Sequence, residues 1–341
     1  MNQDKRLSLA IVGVGRWGQN LARVFAAEPR CELRYVCDTD PSTLARHGRR
    51  FGDATLCDSF ERVLADPSVQ AVAIASSAAT HFEVARRALL AGKHVYVEKP
   101  MSMDFRQAQE LARLVRQTGL KFMVGHLLEY HPCVQRLRGM IESGQLGDVY
   151  YIYSQRLNLG IVRKDENAWW SLAPHDISVA CYLLGAEPES VSAHGQCFLQ
   201  PGVEDVVFAT LNFPDRRLAH IHVSWLDPHK IRKTTIVGTK QMVTFDDMEA
   251  ADKIRIYDRG AEVKTSVDSF AEAISLRIGD IVIPRVPVEE PLAIECRQFI
   301  EAALDDRPIL SDVTDGLRVV AVLEAGQLSL RNNGQPIRLP S

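Results

Sequence analysis

The sequence predicts an α/β protein of two domains: a parallel sheet wound through helices over residues 1–125, then an α+β domain with an open, mostly antiparallel sheet over residues 126–341. Three observations predict it. A chain of 341 residues suits two cores of ~100–200 residues each. Residues 7–125 alternate short apolar runs with amphipathic stretches, the pattern of strands joined by crossover helices. After Asp148 the texture changes to alternating strands separated by short turns such as Pro214-Asp-Arg, Gly238-Thr-Lys and Asp246-Asp.

The first-domain strands are expected at Leu9–Val12, Leu33–Cys37, near Thr55–Leu56, and at Ala71–Ala75, His94–Val97 and Lys121–Val124. Apolar residues recur three and four apart in Trp17–Ala27, His81–Ala91 and Asp104–Thr118, so these are helices, with Gly92 and Gly119 as stops for the last two. His131–Ser143 is one more helix. The second-domain strands are expected at Val149–Asn158, Ser190–Cys197, Val206–Phe213, Leu218–Trp225, Thr234–Val237, Met242–Phe245 and Ile254–Tyr257. One helix, Pro174–Leu184, interrupts them. Residues 259–290 read as loop, and helices Leu292–Leu304 and Asp312–Leu330 follow, packing near the domain junction, with Ser311 as an N-cap.

Charge and cysteine content narrow the function. With 40 Lys and Arg against 43 Asp and Glu the net charge is −3, which argues against nucleic acid, whose backbone demands a cationic face. No window reaches the ~18–20 apolar residues of a membrane span. The first apolar run, Leu7–Gly13, is too short for a signal-peptide core. Seven cysteines without a CxxC pair give neither a disulfide framework nor a zinc knuckle, so a cytoplasmic protein without a metal is expected.

Gly13-Val-Gly15-Arg16-Trp17-Gly18 follows a strand and opens a helix, and Asp38 ends the next strand. This is the fingerprint of a Rossmann dinucleotide-binding domain: the first glycine for the turn, the second for close approach of a pyrophosphate, the third for helix packing. Asp38 can accept both hydroxyls of an adenine ribose and would repel a 2′-phosphate, so the expected cofactor is NAD. Glu98-Lys99-Pro100 follows the fifth strand at the carboxyl edge of the sheet, where ligands of open α/β folds bind. The sequence leaves the Lys99–Pro100 bond open between cis and trans.

These motifs, with the turn from Ser76 to His81, resemble the glucose-fructose oxidoreductase, inositol dehydrogenase and rhizopine-catabolism (Gfo/Idh/MocA) family of NAD(P)-dependent sugar dehydrogenases. The resemblance runs over almost the whole chain. It implies that Lys99 is the active-site lysine and that Ser76, His81, Glu98 and Lys99 join Gly13, Gly15, Arg16, Trp17, Gly18 and Asp38 around the cofactor. Ser77 stands where the family usually has a proline before that histidine. In the second domain the family's Asp-x-x-x-His-x-x-Asp corresponds to Ser171, His175 and Ser178, so both acids are replaced while His175 remains, followed by Asp176. Read as the start of a helix behind Pro174, His175 would feel the positive end of the helix dipole and stay neutral, as a general base requires.

The block Tyr151–Gly160, with Glu166–Asp176 and His229–Lys233, resembles the branch of the family that serves lipid A and surface-polysaccharide synthesis. The resemblance implies oxidation of the 3-hydroxyl of a nucleotide sugar, UDP-N-acetylglucosamine, ahead of a downstream aminotransferase. Arg156, Asn158 and Arg163 are candidates to hold a diphosphate, Trp170 to stack on a ring, Tyr130 to line the sugar pocket, and Asp176 to orient His175. Three alternatives stay open: an inositol or free-sugar dehydrogenase, a 3-ketosugar reductase, and a dinucleotide-binding sensor without turnover. A homodimer or homotetramer through the second-domain sheet is also implied by the family.

Overall fold

The computed structural model describes residues 5–47, 50–160, 162–164, 166–263, 274–287 and 289–340. The chain divides into two compact units, one built from the chain through Tyr130 together with Glu289–Val320, the other from His131 onward and from Ala321 onward. Among the described residues no helix is long and apolar enough to cross a membrane.

The first unit alternates strand and helix: β1 (Leu7–Val12), α1 (Gly18–Ala27), β2 (Cys31–Cys37), α2 (Pro41–His47), β3 (Thr55–Cys57), α3 (Phe60–Ala65), β4 (Ala71–Ile74), α4 (Ala78–Leu90), β5 (His94–Glu98), α5 (Phe105–Thr118) and β6 (Phe122–Gly125). The six strands lie in the order β3-β2-β1-β4-β5-β6, all parallel. β1, β4 and β6 are buried along their whole length, the continuous apolar run of a strand covered on both faces. Asp104 caps α5 by accepting Gln107 N–H at 3.0 Å, and Gly119 ends it with φ +67°, where a left-handed residue closes the last turn.

The expected boundary at residue 125 shifts. α6 (Pro132–Glu142) opens the second unit after Tyr130. The late helix α8 (Pro291–Asp305), placed by the sequence reading in the second domain, packs on the first sheet instead. Its Leu292, Cys296, Phe299 and Ile300 enter one core with Ile11, Phe25 and Tyr96. Phe25, Tyr96 and Phe299 meet edge to face at 5.9–6.3 Å, and truncating a buried ring of this kind costs about 3–5 kcal/mol. A helix distant in sequence thus completes a sheet-covering layer that no local pattern reveals.

The second unit is a nine-stranded sheet. Along the chain come β7 (Val149–Leu157), α7 (Ala168–Leu184), β8 (Ser190–Gln196), β9 (Val206–Asn212), β10 (Leu218–Ser224), β11 (Ile231–Gly238), β12 (Met242–Asp246), β13 (Ile254–Val263) and β14 (Ile274–Val282). After α9 (Val313–Arg331), β15 (Ile337–Arg338) adds an edge. The order is β14-β13-β12-β11-β7-β10-β9-β8-β15, and only the β7–β10 pair is parallel. Ile152, Ala209, Ala219 and Ile221 face inward and are buried, with α7 packed against β7, β9 and β10. On the opposite face Tyr151, Tyr153 and Phe208 are exposed, the period of two expected of a strand.

Three local expectations are corrected. Residues 259–290 are not a loop in their described parts: β13 extends to Val263 and pairs with β14. That hairpin carries exposed Leu276 and Ile278, so it lacks the buried stripe by which a strand is recognised. Residues 264–273 of the same stretch lie outside the described residues. α7 starts at Ala168, where the Asn167 side chain accepts Trp170 N–H at 3.0 Å, and Pro174 lies inside the helix. Ser311 does not cap α9. Its hydroxyl bonds Val124 O at 2.6 Å, and Asp312 accepts the amides of Thr314 and Asp315 at 2.7 and 3.1 Å.

Candidate coenzyme and catalytic site

Strand order reverses at β1, whose neighbours β2 and β4 send their crossovers to opposite sides, so the loops after β1 and β4 diverge at their carboxyl ends. Gly13 turns there with φ +86°, and a side-chain carbon on it would lie 2.5 Å from the Ser76 amide nitrogen. A carbon on Gly18 would meet the Gly13 carbonyl oxygen at 1.9 Å. A carbon on Gly15, by contrast, would meet nothing within 4 Å. The first and third glycines therefore close the turn, and the second leaves open space beside the N-terminus of α1, whose first turn carries no acid. That combination fits a pyrophosphate. Asp38 accepts Val14 N–H with Oδ2 at 2.8 Å and Asp40 N–H with Oδ1 at 3.0 Å, which fixes its carboxylate and leaves lone pairs for a ribose diol. Arg16 and Trp17 are exposed on the turn.

Lys99 is half-buried just past the carboxyl end of β5, and its bond to Pro100 is cis. His81 is buried, with Nδ1 2.8 Å from Pro100 O and Nε2 3.1 Å from Ser76 O. Burial first, and the Lys99 cation as well, hold its pKa below the ordinary imidazole value. A neutral ring donates to one of those carbonyls at a time. His81, expected around the cofactor, thus ties the β4 loop to the lysine turn, with both ring nitrogens against backbone carbonyls. The Ser76 hydroxyl stays exposed, 2.7 Å from Thr80 Oγ1.

Glu98 is likewise a correction: it is buried, and its Oε1 accepts the Trp17 indole N–H. It acts on the coenzyme turn through Trp17. Burial raises its pKa, with Trp17, Lys99 and Tyr96 pulling the other way. Gly125 is needed opposite, because a side-chain carbon there would lie 2.9 Å from the Tyr96 hydroxyl and 3.0 Å from Glu98 Oε1. Tyr96 and Glu295, which complete this buried group, were missed. The available signals were Tyr96 at i−2 on the Glu98 strand and an acid inside the apolar stripe of α8.

In the second unit His175 is half-buried on α7, seven residues in from Ala168. It is too far along the helix to feel the N-terminal dipole, which acts over the first turn, contrary to the expectation from a helix starting at Pro174. Asp176 does not orient it. Its carboxylate is bound by Arg156, Nε–Oδ2 2.6 Å and Nη2–Oδ1 3.3 Å, with side chains only 3% and 11% exposed. Arg156 is thereby committed to a buried pair and is not poised for a diphosphate. Asn158 is half-buried one residue beyond β7 and lies over Gly160. Arg163 is exposed and paired with Glu166 at 2.7 Å. Trp170 is buried and cannot present a face for stacking. Tyr130, in the first unit, is buried with its hydroxyl 2.8 Å from Ser311 Oγ, a packing role and not a pocket wall. Arg232 stands opposite Arg156 across the β11–β7 ladder.

Among the described residues, His126, Glu129 and Asp315 are the one trio whose metal-capable atoms converge, within 4.8 Å. His126 Nδ1 lies 2.6 Å from Asp315 Oδ2 and 3.5 Å from Glu129 Oε1, the former a hydrogen-bond length. Burial works against charging the ring, but Asp315 and Glu129 outweigh it and push its pKa up to about 10. A proton between these groups accounts for the trio.

The first unit is the coenzyme-binding half of an NAD-dependent oxidoreductase. Residues 7–126 match the oxidoreductase family with an NAD-binding Rossmann fold, and residues 134–244 match the GFO/IDH/MocA C-terminal domain; the chain belongs to the Gfo/Idh/MocA family. It is 28% identical over 316 residues to UDP-N-acetylglucosamine 3-dehydrogenase of Acidithiobacillus ferrooxidans, covering 91% of this chain and 93% of that protein. It is 23% identical over 350 residues to scyllo-inositol 2-dehydrogenase (NAD(+)) of Bacillus subtilis, covering 98% and 97%. The structure of GenD2 from gentamicin A biosynthesis, in complex with NAD, superposes with a TM-score of 0.84 at 25% identity, covering 100% of this chain and 98% of that one.

Proposed function

We propose that this enzyme oxidises a secondary hydroxyl of a sugar, with the 3-hydroxyl of UDP-N-acetylglucosamine the first candidate, in the cytoplasmic synthesis of lipid A or a surface polysaccharide. The observation that carries the chemistry is Lys99, a half-buried cation at the carboxyl edge of the sheet between the buried Glu98 and a cis-bonded Pro100, whose carbonyl lies 2.8 Å from Nδ1 of His81. In this reading His175 takes the hydroxyl proton and Lys99 stabilises the oxygen as charge develops on it. When bound, NAD supplies the ring that accepts the hydride. The choice of sugar rests on the likeness to the Acidithiobacillus protein over nine-tenths of both chains. The product, a 3-keto sugar, is a substrate suited to an aminotransferase. The aromatic outer face of the nine-stranded sheet, with Tyr151, Tyr153 and Phe208 exposed, would join copies into a dimer or tetramer.

One observation favours a second reading, oxidation of a free polyol: Arg156 and Arg163 are both engaged by carboxylates, which leaves neither poised as a phosphate grip. Incubating the enzyme with NAD and a panel of UDP-sugars, free sugars and inositols, with NADH followed by absorbance, separates the two. Coupling an aminotransferase draws an unfavourable equilibrium forward. A signal confined to inositols would establish the second reading.

A further inference from the structure

Tyr96 and Glu98 lie two residues apart on β5 and so share a face of the sheet. Glu295 reaches the same place from α8. The Tyr96 hydroxyl oxygen is 3.0 Å from Glu295 Oε2 and 3.3 Å from Glu98 Oε1. A phenol has one proton and can donate to one carboxylate. For both contacts to be hydrogen bonds, one of the two carboxyls must carry a second proton. Glu98 is the poorer holder, because its Oε1 already accepts the Trp17 indole N–H and the Lys99 ammonium follows it in the chain. Glu295 has no cation bonded to it in this group, is fully buried, and its Oε1 has no hydrogen-bond partner among the described residues.

We propose that Glu295 is a positioning residue held as a neutral carboxylic acid, which donates to the Tyr96 oxygen and so directs the Tyr96 proton onto the Glu98 carboxylate that anchors Trp17 of the coenzyme turn. The order is Glu295 to Tyr96 to Glu98, with the indole of Trp17 donating to the same carboxylate oxygen. The titration of Glu295 agrees: burial, then the charge of Glu98, drive its pKa well above the carboxylate range, Glu129 adds to this, and Tyr96 and His126 oppose it. Cys296 and Tyr130, further titratable neighbours, are themselves held protonated by burial first, and any charge on Glu295 adds to this. An ionised Glu295 would instead draw the Tyr96 proton toward itself and set two anions around one phenol. The inference rests on the coenzyme site and is independent of which sugar is oxidised.

Infrared difference spectra of the NADH-bound enzyme at neutral pH test the protonation directly. The expected result is a carbonyl stretch of a protonated carboxyl that is present in the native enzyme and lost in Glu295→Gln. The dissociation constant of NADH, read by fluorescence, tests the positioning. Glu295→Gln keeps a neutral donor toward Tyr96 and should retain affinity, whereas Glu295→Leu and Tyr96→Phe should weaken it by roughly 3–10-fold, the scale of one hydrogen bond. Should Glu295→Leu fail to fold, the Gln and Phe variants with the infrared band decide the matter. An unchanged band in Glu295→Gln, or an affinity loss in Glu295→Gln equal to that in Tyr96→Phe, overturns the proposal.

Discussion

The indole N–H of Trp17 donates to Oε1 of Glu98 at 2.5 Å, joining the dinucleotide turn after β1 to the residue before the lysine after β5. Two motifs eighty residues apart in the sequence are thus one mechanical unit. Replacing Trp17 with Phe keeps the ring and removes the donor, leaving a buried carboxylate short of a partner. We expect a loss of about 1–3 kcal/mol in unfolding free energy, measured by denaturant titration, together with weaker NADH binding.

The second and third glycines of the turn should separate by phenotype. Gly15 faces open space, whereas a side-chain carbon on Gly18 would lie 1.9 Å from the Gly13 carbonyl oxygen. Gly15→Val should therefore fold with a near-native melting temperature and lose NADH binding, because its side chain fills the space meant for the pyrophosphate. Gly18→Ala should lower the melting temperature itself. Thermal melts with and without NADH read both outcomes.

The Arg156–Asp176 pair is buried, so removing one partner strands the other. Arg156→Ala or Asp176→Ala should each cost about 3–5 kcal/mol, while replacing both with apolar residues of similar volume should recover much of that loss. A double-mutant cycle on unfolding free energies shows it. Equal, small and additive costs would mean that the pair is solvated.

His126 gives stability an alkaline limb. Its folded pKa of about 10 lies above the ordinary 6.5, so its contribution is complete below pH 6.5 and is lost as pH rises towards 10. Glu129, pushed up to about 8 by burial, acts in the same sense, since ionising it in the fold is penalised. Asp315, held below its usual value despite burial by His126, supplies the acid limb, lost as pH falls through that lowered pKa. His126→Gln should flatten the alkaline decline in unfolding free energy.

Much of the first unit was legible because its information is local. The glycines of the turn, Asp38 and the apolar runs of β1 and β4 fix strand, turn and helix within forty residues at a time. The misplaced items depend on contacts made far along the chain. Phe299 and Glu295 of α8 join the core around Tyr96 from about two hundred residues away, and nothing in the helix itself names its sheet. Pro174 was read as a first-turn proline because Asn167, the actual cap, is preceded by no recognisable breaker. Arg156 looked like a free cation on a strand face. That it meets Asp176 depends on how α7 lies across β7, which spacing alone does not give.

The role proposed for Lys99 is to stabilise the oxygen of a sugar carbinol during its oxidation by NAD. The direct measurement is the initial rate of NADH formation from NAD and UDP-N-acetylglucosamine, compared between the native enzyme and Lys99→Met with NADH affinity measured alongside. A fall in turnover of roughly 10²–10⁴-fold at preserved affinity is the predicted result; a Lys99→Met enzyme that forms NADH at the native rate contradicts it.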